Sequence, residues 1–245
     1  MHSGQTLSMD GVVERIREEL KEKASPSARE SSQRFFKDEI LCYGLKTAEV
    51  IKIAKKYWKE VKSLPKTGIF SLCEELYKSG YLEESFVVSN WSHRFSGRYE
   101  KDDFEVFRHW IDTYINNWAS CDGFCTNTMG DFIVQYPEYL EELKVLAKSE
   151  NRWMRRAAAV SIIMPARKGN YLDDAIEIAD ILLEDTDDMV QKGYGWLLKE
   201  ESRQHTDEIF DYVMKNKKNM PRTSLRYAIE LMPKDLKKEA MKKDW

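Results

Sequence analysis

Residues 138–198 read EYLEELKVLAKSENRWMRRAAAVSIIMPARKGNYLDDAIEIADILLEDTDDMVQKGYGWLL. Four segments of this stretch, Glu138–Ala147, Trp153–Met164, Ala175–Leu183 and Met189–Leu198, carry apolar residues at helical spacing with short polar breaks between them. Helices of that length in series leave a compact bundle or a stack of helix pairs. Recurrence favours the stack, in the manner of HEAT or armadillo units, although internal identity is weak. Working outward, Val12, Val13, Ile16 and Leu20 mark another helical stripe, as do Val50, Ile51, Ala54 and Trp58, and neither alternates as a strand would. Turn signals fall at Ser25-Pro26, Tyr43-Gly44, Leu64-Pro65, Ser79-Gly80, Tyr136-Pro137, Lys168-Gly169, Met220-Pro221 and Met232-Pro233. Thr47, Ser149 and Pro221 stand where helices should begin. The expectation is an all-α chain, an α-solenoid of HEAT-like helical repeats, with residues 1–8 as a flexible tail and 9–245 as one domain.

The composition agrees with an ordered protein. Of 245 residues, 42% are hydrophobic and 33% charged, with 12 Tyr, 10 Phe and 7 Trp to build a core. Lys and Arg number 39 against 42 Asp and Glu, so a polyanionic partner must be met by a local patch rather than by bulk charge. Such patches exist: residues 151–168 hold Arg152, Arg155, Arg156, Arg167 and Lys168 without an acid, and residues 46–66 hold seven Lys against Glu49 and Glu60. Residues 171–188 carry eight acids and no base. In a curved stack the basic segments would line one face, while the plainer reading is a set of solvated helix surfaces. Cys42, Cys73, Cys121 and Cys125 form no CxxC and lack histidines at zinc spacing, which points to reduced thiols and to no metal. The polar start and the absence of a long apolar run argue against secretion or membrane insertion, so a cytoplasmic location is expected.

One segment is unusual enough to carry chemistry: Asn117-Trp118-Ala119-Ser120-Cys121-Asp122. In a helix, Trp118 and Asp122 share a face at i,i+4, and an indole beside a carboxylate suits a cationic ligand. A second indole, Trp196, follows Gly193 and Gly195. Glycines inside a helix cost stability, and close approach of a backbone or ligand would explain them. The competing reading for either tryptophan is an ordinary core residue.

Asn117–Asp122, together with Arg152-Trp153-Met154-Arg155-Arg156-Ala157-Ala158 and Gln191-Lys192-Gly193-Tyr194-Gly195-Trp196-Leu197-Leu198-Lys199-Glu200, resembles the AlkD-like DNA alkylation repair family. The resemblance covers roughly Arg34 to Met232. It implies a glycosylase that binds duplex DNA containing alkylated purines and hydrolyses the N-glycosidic bond of N3- or N7-alkylated purines. Such an enzyme would act as a monomer, without a cofactor and without a base-flipping pocket. By the same resemblance Trp118 and Trp196 are the site tryptophans, Asp122 the catalytic carboxylate, and Arg156 or the adjacent Arg155 a phosphate contact. Lys46, Thr47, Lys192 and Lys199 join them as DNA-binding residues. Ala48 stands where the family commonly has proline. The chemistry fits one carboxylate: a cationic purine departs neutral and needs no general acid, leaving a cationic sugar to stabilise and a water to place. The alternatives are a non-catalytic HEAT-like scaffold and a DNA-binding paralogue without turnover.

Overall fold

Helix follows helix from Asp10 to Met241, and no strand forms among residues 10–243, the part of the chain that this computed structural model describes. The tail expected over residues 1–8 lies outside the described residues. The helices gather into two compact units divided between Glu100 and Lys101, inside the span expected as one domain.

The first unit contains α1 (Asp10–Glu22), α2 (Pro26–Gln33), α3 (Thr47–Val61), α4 (Lys66–Tyr77) and α5 (Leu82–Arg94). Both α1 and α5 pack against α3 and α4. The stripe Val12, Val13, Ile16 and Leu20 is buried. On α3 the buried line is Val50, Ile53, Ala54, Tyr57 and Val61, while Ile51 and Trp58 lie at its partly exposed edges. The expected stripe was therefore turned about the axis, because i, i+3, i+4 and i+7 from Val50 select Ile53 and Tyr57 instead. Lys46 occupies the cap position of α3, and no side chain caps it, so Thr47 does not serve that role.

Two adjacent glutamates at the start of α5 hold the turn that leads into α3. Buried Glu83 accepts the backbone N–H of Tyr43, Gly44 and Leu45 at 3.0, 2.8 and 3.1 Å. Glu84 accepts the Tyr43 hydroxyl at 2.7 Å and Arg17 Nε at 3.1 Å. Gly44 has φ +93°, and a Cβ there would lie 2.5 Å from the Ser25 carbonyl oxygen, so no other residue fits. Glu83→Ala would orphan the buried N–H groups of Tyr43 and Gly44 and the half-buried one of Leu45, and is expected to cost about 2–4 kcal/mol in urea unfolding, with faster amide hydrogen exchange at residues 43–45.

The second unit contains α6 (Asp103–Thr113), α7 (Trp118–Phe124), α8 (Gly130–Gln135), α9 (Leu140–Leu146), α10 (Arg152–Val160), α11 (Ile163–Ala166), α12 (Leu172–Ile181), α13 (Asp188–Glu201), α14 (Thr206–Asn216), α15 (Arg222–Ala228) and α16 (Lys234–Met241). Helix α10 is its hub, touching α6, α7, α9, α12 and α13. Ala157, Ala158 and Ala159 are fully buried, and their small side chains let those neighbours come close. Asn151 caps α10 by accepting the Trp153 N–H at 2.9 Å, whereas Ser149, expected as the cap, accepts the Asn151 N–H at 3.1 Å. The cap thus falls two residues later than expected.

At the end of α13, Glu201 is fully buried, and neither oxygen has a hydrogen-bond partner; His205 Nε2 stands 4.0 Å away. Burial pushes its pKa from 4.5 up to about 8. The folded chain therefore keeps a proton that the unfolded chain releases, and this group's contribution to stability falls as pH rises from about 5 to about 8. Glu201→Gln should flatten that decline, which thermal melts across this range would read directly.

Candidate active site

Asn117 decides where α7 begins. Its Oδ1 accepts the Ser120 N–H at 2.9 Å, and its Nδ2 donates to Asn116 Oδ1 at 2.9 Å. A cap at Asn117 puts Trp118 in the first turn and Asp122 one turn further along the same face. Beyond α7 the helix widens into a π turn over Cys125–Met129, where Thr126 Oγ1 donates to the Asp122 carbonyl at 2.7 Å.

The Asp122 carboxylate meets Arg156 of α10 in a two-pronged pair, with Nε to Oδ1 and Nη2 to Oδ2 both at 2.8 Å. The remaining Arg156 nitrogen, Nη1, donates to the Met189 carbonyl in the first turn of α13. Arg156 is 5% exposed and the Asp122 side chain 17%. Burial works against the Arg156 charge, but the Asp122 carboxylate outweighs it and holds the guanidinium pKa above its ordinary value. Each Asp122 oxygen spends one lone pair on this pair and keeps another for a water or ligand.

Trp196 lies on α13, the helix whose first turn supplies the Met189 carbonyl to Arg156. Gly193, one turn before it, faces Arg156: a Cβ would stand 3.3 Å from Arg156 Cγ. Gly195 faces α15, where a Cβ would meet Tyr227 Cβ at 2.7 Å and the Ser224 carbonyl oxygen at 2.9 Å. The two glycines thus serve close packing on both sides of the helix that carries the indole. Trp196 Nε1 donates to Glu200 Oε1 at 3.0 Å. Burial alone would raise the Glu200 pKa, but bonds from Arg203, Arg167 and Trp196 hold it below the usual carboxylate value. Trp118 and Trp196 are partly exposed, unlike the buried Trp91, Trp110 and Trp153.

The basic residues divide. Arg156, expected at a phosphate, has its guanidinium turned inward on Asp122. Arg155 bonds to Asp185 through Nε at 2.6 Å and to the carbonyls of Ser149 and Glu150 through Nη1. Lys192 pairs with Asp188 at 3.1 Å and Lys199 with Glu230 at 3.2 Å. In the first unit, Lys46 and Thr47 are exposed at the start of α3. Sequence reading missed the Arg156–Asp122 pair, whose partners lie 34 residues apart with no local signal. It also missed Glu200, whose i,i+4 spacing from Trp196 was a usable cue. Burial raises the Cys121 thiol well above its ordinary pKa, so it offers no nucleophile. Among the described residues no three His, Cys, Asp or Glu side chains gather as a metal site requires.

Against known families, residues 16–232 match the one described as DNA alkylation repair enzyme. The chain belongs to the DNA alkylation repair enzyme family. No curated protein sequence matches it. Solved structures of similar fold include a predicted DNA alkylation repair enzyme from Enterococcus faecalis, at 17% identity and TM-score 0.78, covering 86% of this chain and 97% of that one. AlkD2 from Streptococcus mutans is 21% identical with TM-score 0.64, covering 91% and 99%. The alkylpurine DNA glycosylase AlkC from Pseudomonas fluorescens, bound to DNA containing an abasic site analog, is 13% identical with TM-score 0.50, covering 91% of this chain and 61% of AlkC. These likenesses establish a helical-repeat fold.

The glycines in this family member's α13 give a test. Gly195→Ala forces a methyl group into the backbone of α15 and should cost about 1–3 kcal/mol. Gly193→Ala meets Arg156 Cγ at 3.3 Å, Arg156 Nη1 at 3.5 Å and Val160 Cγ1 at 3.7 Å, side-chain atoms rather than backbone, and should melt close to wild type, its strain offset by the better helix propensity of alanine.

Proposed function

We propose that this repair-family protein is a DNA glycosylase that hydrolyses the N-glycosidic bond of cationic N3- or N7-alkylated purines in duplex DNA. The observation that carries this reading is the Asp122 carboxylate, clamped by Arg156 and carried one turn from the partly exposed Trp118. Trp196 lies one turn beyond the glycine that packs on the same arginine. Membership in a family of alkylation repair enzymes, and a helical-repeat neighbour that is a DNA-bound alkylpurine glycosylase, support it.

In this mechanism the alkylated purine leaves as a neutral base and takes the electrons of the C1′–N bond with it. The sugar left behind develops positive charge. Asp122 opposes that charge and orients a water for attack at C1′, using the oxygen lone pairs that Arg156 leaves open. The indole faces of Trp118 and Trp196 attract the cationic sugar and lesion, each contact worth about 0.5–2 kcal/mol. Arg156 contributes by fixing Asp122, since a carboxylate free to swing would lose the geometry on which its electrostatic effect depends. Arg155 instead braces the turn at Asp185 that leads into α13.

Phosphate contacts are assigned to Lys46 and Thr47, already exposed, and to Lys192 and Lys199. The last two can exchange Asp188 and Glu230 for phosphate at small cost, because surface ion pairs are worth about 0–1 kcal/mol. The reading needs no flipping pocket, as lesion charge supplies the selectivity.

The test is release of 7-methylguanine from methylated duplex DNA with enzyme in excess. Wild type should release the base, and Asp122→Asn should lower the single-turnover rate by about 100-fold or more while duplex affinity is kept. Binding without release by wild type would favour a DNA-binding paralogue that has lost turnover, and neither binding nor release would favour a scaffold.

A further inference from the structure

We infer that Glu200 is a positioning residue for this reaction: its buried carboxylate fixes the plane of the Trp196 indole, and Arg167 and Arg203 fix the carboxylate. The inference rests on the glycosylase reading of Trp196 given above.

Glu200 lies on α13 one turn after Trp196 and is 1% exposed. Four N–H groups converge on it. Oε1 accepts Trp196 Nε1 at 3.0 Å and Arg167 Nη2 at 3.4 Å, while Oε2 accepts Arg167 Nε at 2.9 Å and Arg203 Nε at 2.6 Å. A carboxylate has about four lone-pair sites, so this one is fully occupied. It has no capacity left for a substrate or a water, which separates its role from that of Asp122.

The two guanidiniums come from different parts of the chain, Arg167 just after α11 and Arg203 just after α13. Their side chains are 41% and 44% exposed, yet both turn back to one buried oxygen pair. Such a convergence immobilises the acceptor before the indole bonds to it.

Ring orientation matters because the aromatic quadrupole has a negative face and a positive edge. A cation meeting the face is attracted, whereas one meeting the edge is repelled. A partly exposed indole has two side-chain torsions free to turn it, and a charge-assisted bond from its N–H selects one setting. Glu200 therefore determines whether Trp196 offers its face to the lesion.

The experiment uses full-length protein labelled with ¹⁵N at tryptophan. The Trp196 indole N–H resonance is identified by its loss in Trp196→Phe, and its solvent exchange is measured beside excision of 7-methylguanine. Glu200→Ala should shift that resonance, speed its exchange and lower single-turnover excision about tenfold, equivalent to one cation–π contact, with unmodified-duplex affinity within twofold. Glu200→Gln, which keeps an acceptor for the indole, should recover most of both, and it carries the test if the alanine variant does not fold. An unmoved Trp196 resonance, or unchanged excision in Glu200→Ala, overturns the inference. Absence of excision in wild type would instead remove the glycosylase reading, and the indole resonance alone would then decide whether Glu200 holds the ring.

Discussion

The ion pair between Asp122 and Arg156 is the constraint on which the second unit is organised. A charge taken out of water is costly unless its partner is close and well aimed, and removing one member of such a pair commonly costs about 3–5 kcal/mol. Here the alignment is two-pronged, and the third guanidinium nitrogen is spent on the Met189 carbonyl. One side chain thereby ties α7, α10 and α13 together. The three small alanines of α10 make this possible, since they bring the neighbouring helices within an arginine's reach. Stability and the proposed chemistry thus draw on the same contact: the group that fixes the Asp122 carboxylate also holds the helices around it.

The same device recurs elsewhere in the chain. Glu83 gathers three backbone N–H groups to set the turn into α3, and Asp185 takes Arg155 while its other oxygen accepts the Asp187 N–H at 2.8 Å. Glu200 gathers an indole and two arginines. In each case a carboxylate with little exposure serves as a fixed point for a turn or a ring, which a repeat protein with few long helices needs. Short helices have marginal stability alone, and their directions must be set by contacts outside them.

Much of the fold could be read from local pattern. The breaks at Gly44, Gly80 and Gly169 fall between helices, and the segments around Leu140, Trp153, Ala175 and Val190 are helices α9, α10, α12 and α13. Period and turn chemistry act over a few residues, so a single sequence displays them. The face of α3 differs from the stripe Val50, Ile51, Ala54 and Trp58, because Ile51 and Trp58 lie at the edges of a buried line that runs through Ile53 and Tyr57. At the site, the spacing of Trp118 and Asp122 was legible for the same local reason, and so was the need for small residues before Trp196. The inward turn of Arg156 was not, because nothing in its own helix indicates a carboxylate from another. Arg155 and Arg156 read alike as a basic pair, and only packing sends one to Asp122 and the other to Asp185.

The four cysteines carry a consequence of their own. All are buried, and for Cys42, Cys73 and Cys121 burial pushes the thiol pKa upward. A protonated, sealed thiol is a poor nucleophile. Wherever DNA bases acquire methyl groups, the electrophiles responsible are present too, and they attack thiolates readily. A repair protein that kept an ionised cysteine at its surface would expose a target to the agents that create its workload; this chain keeps all four of its thiols buried.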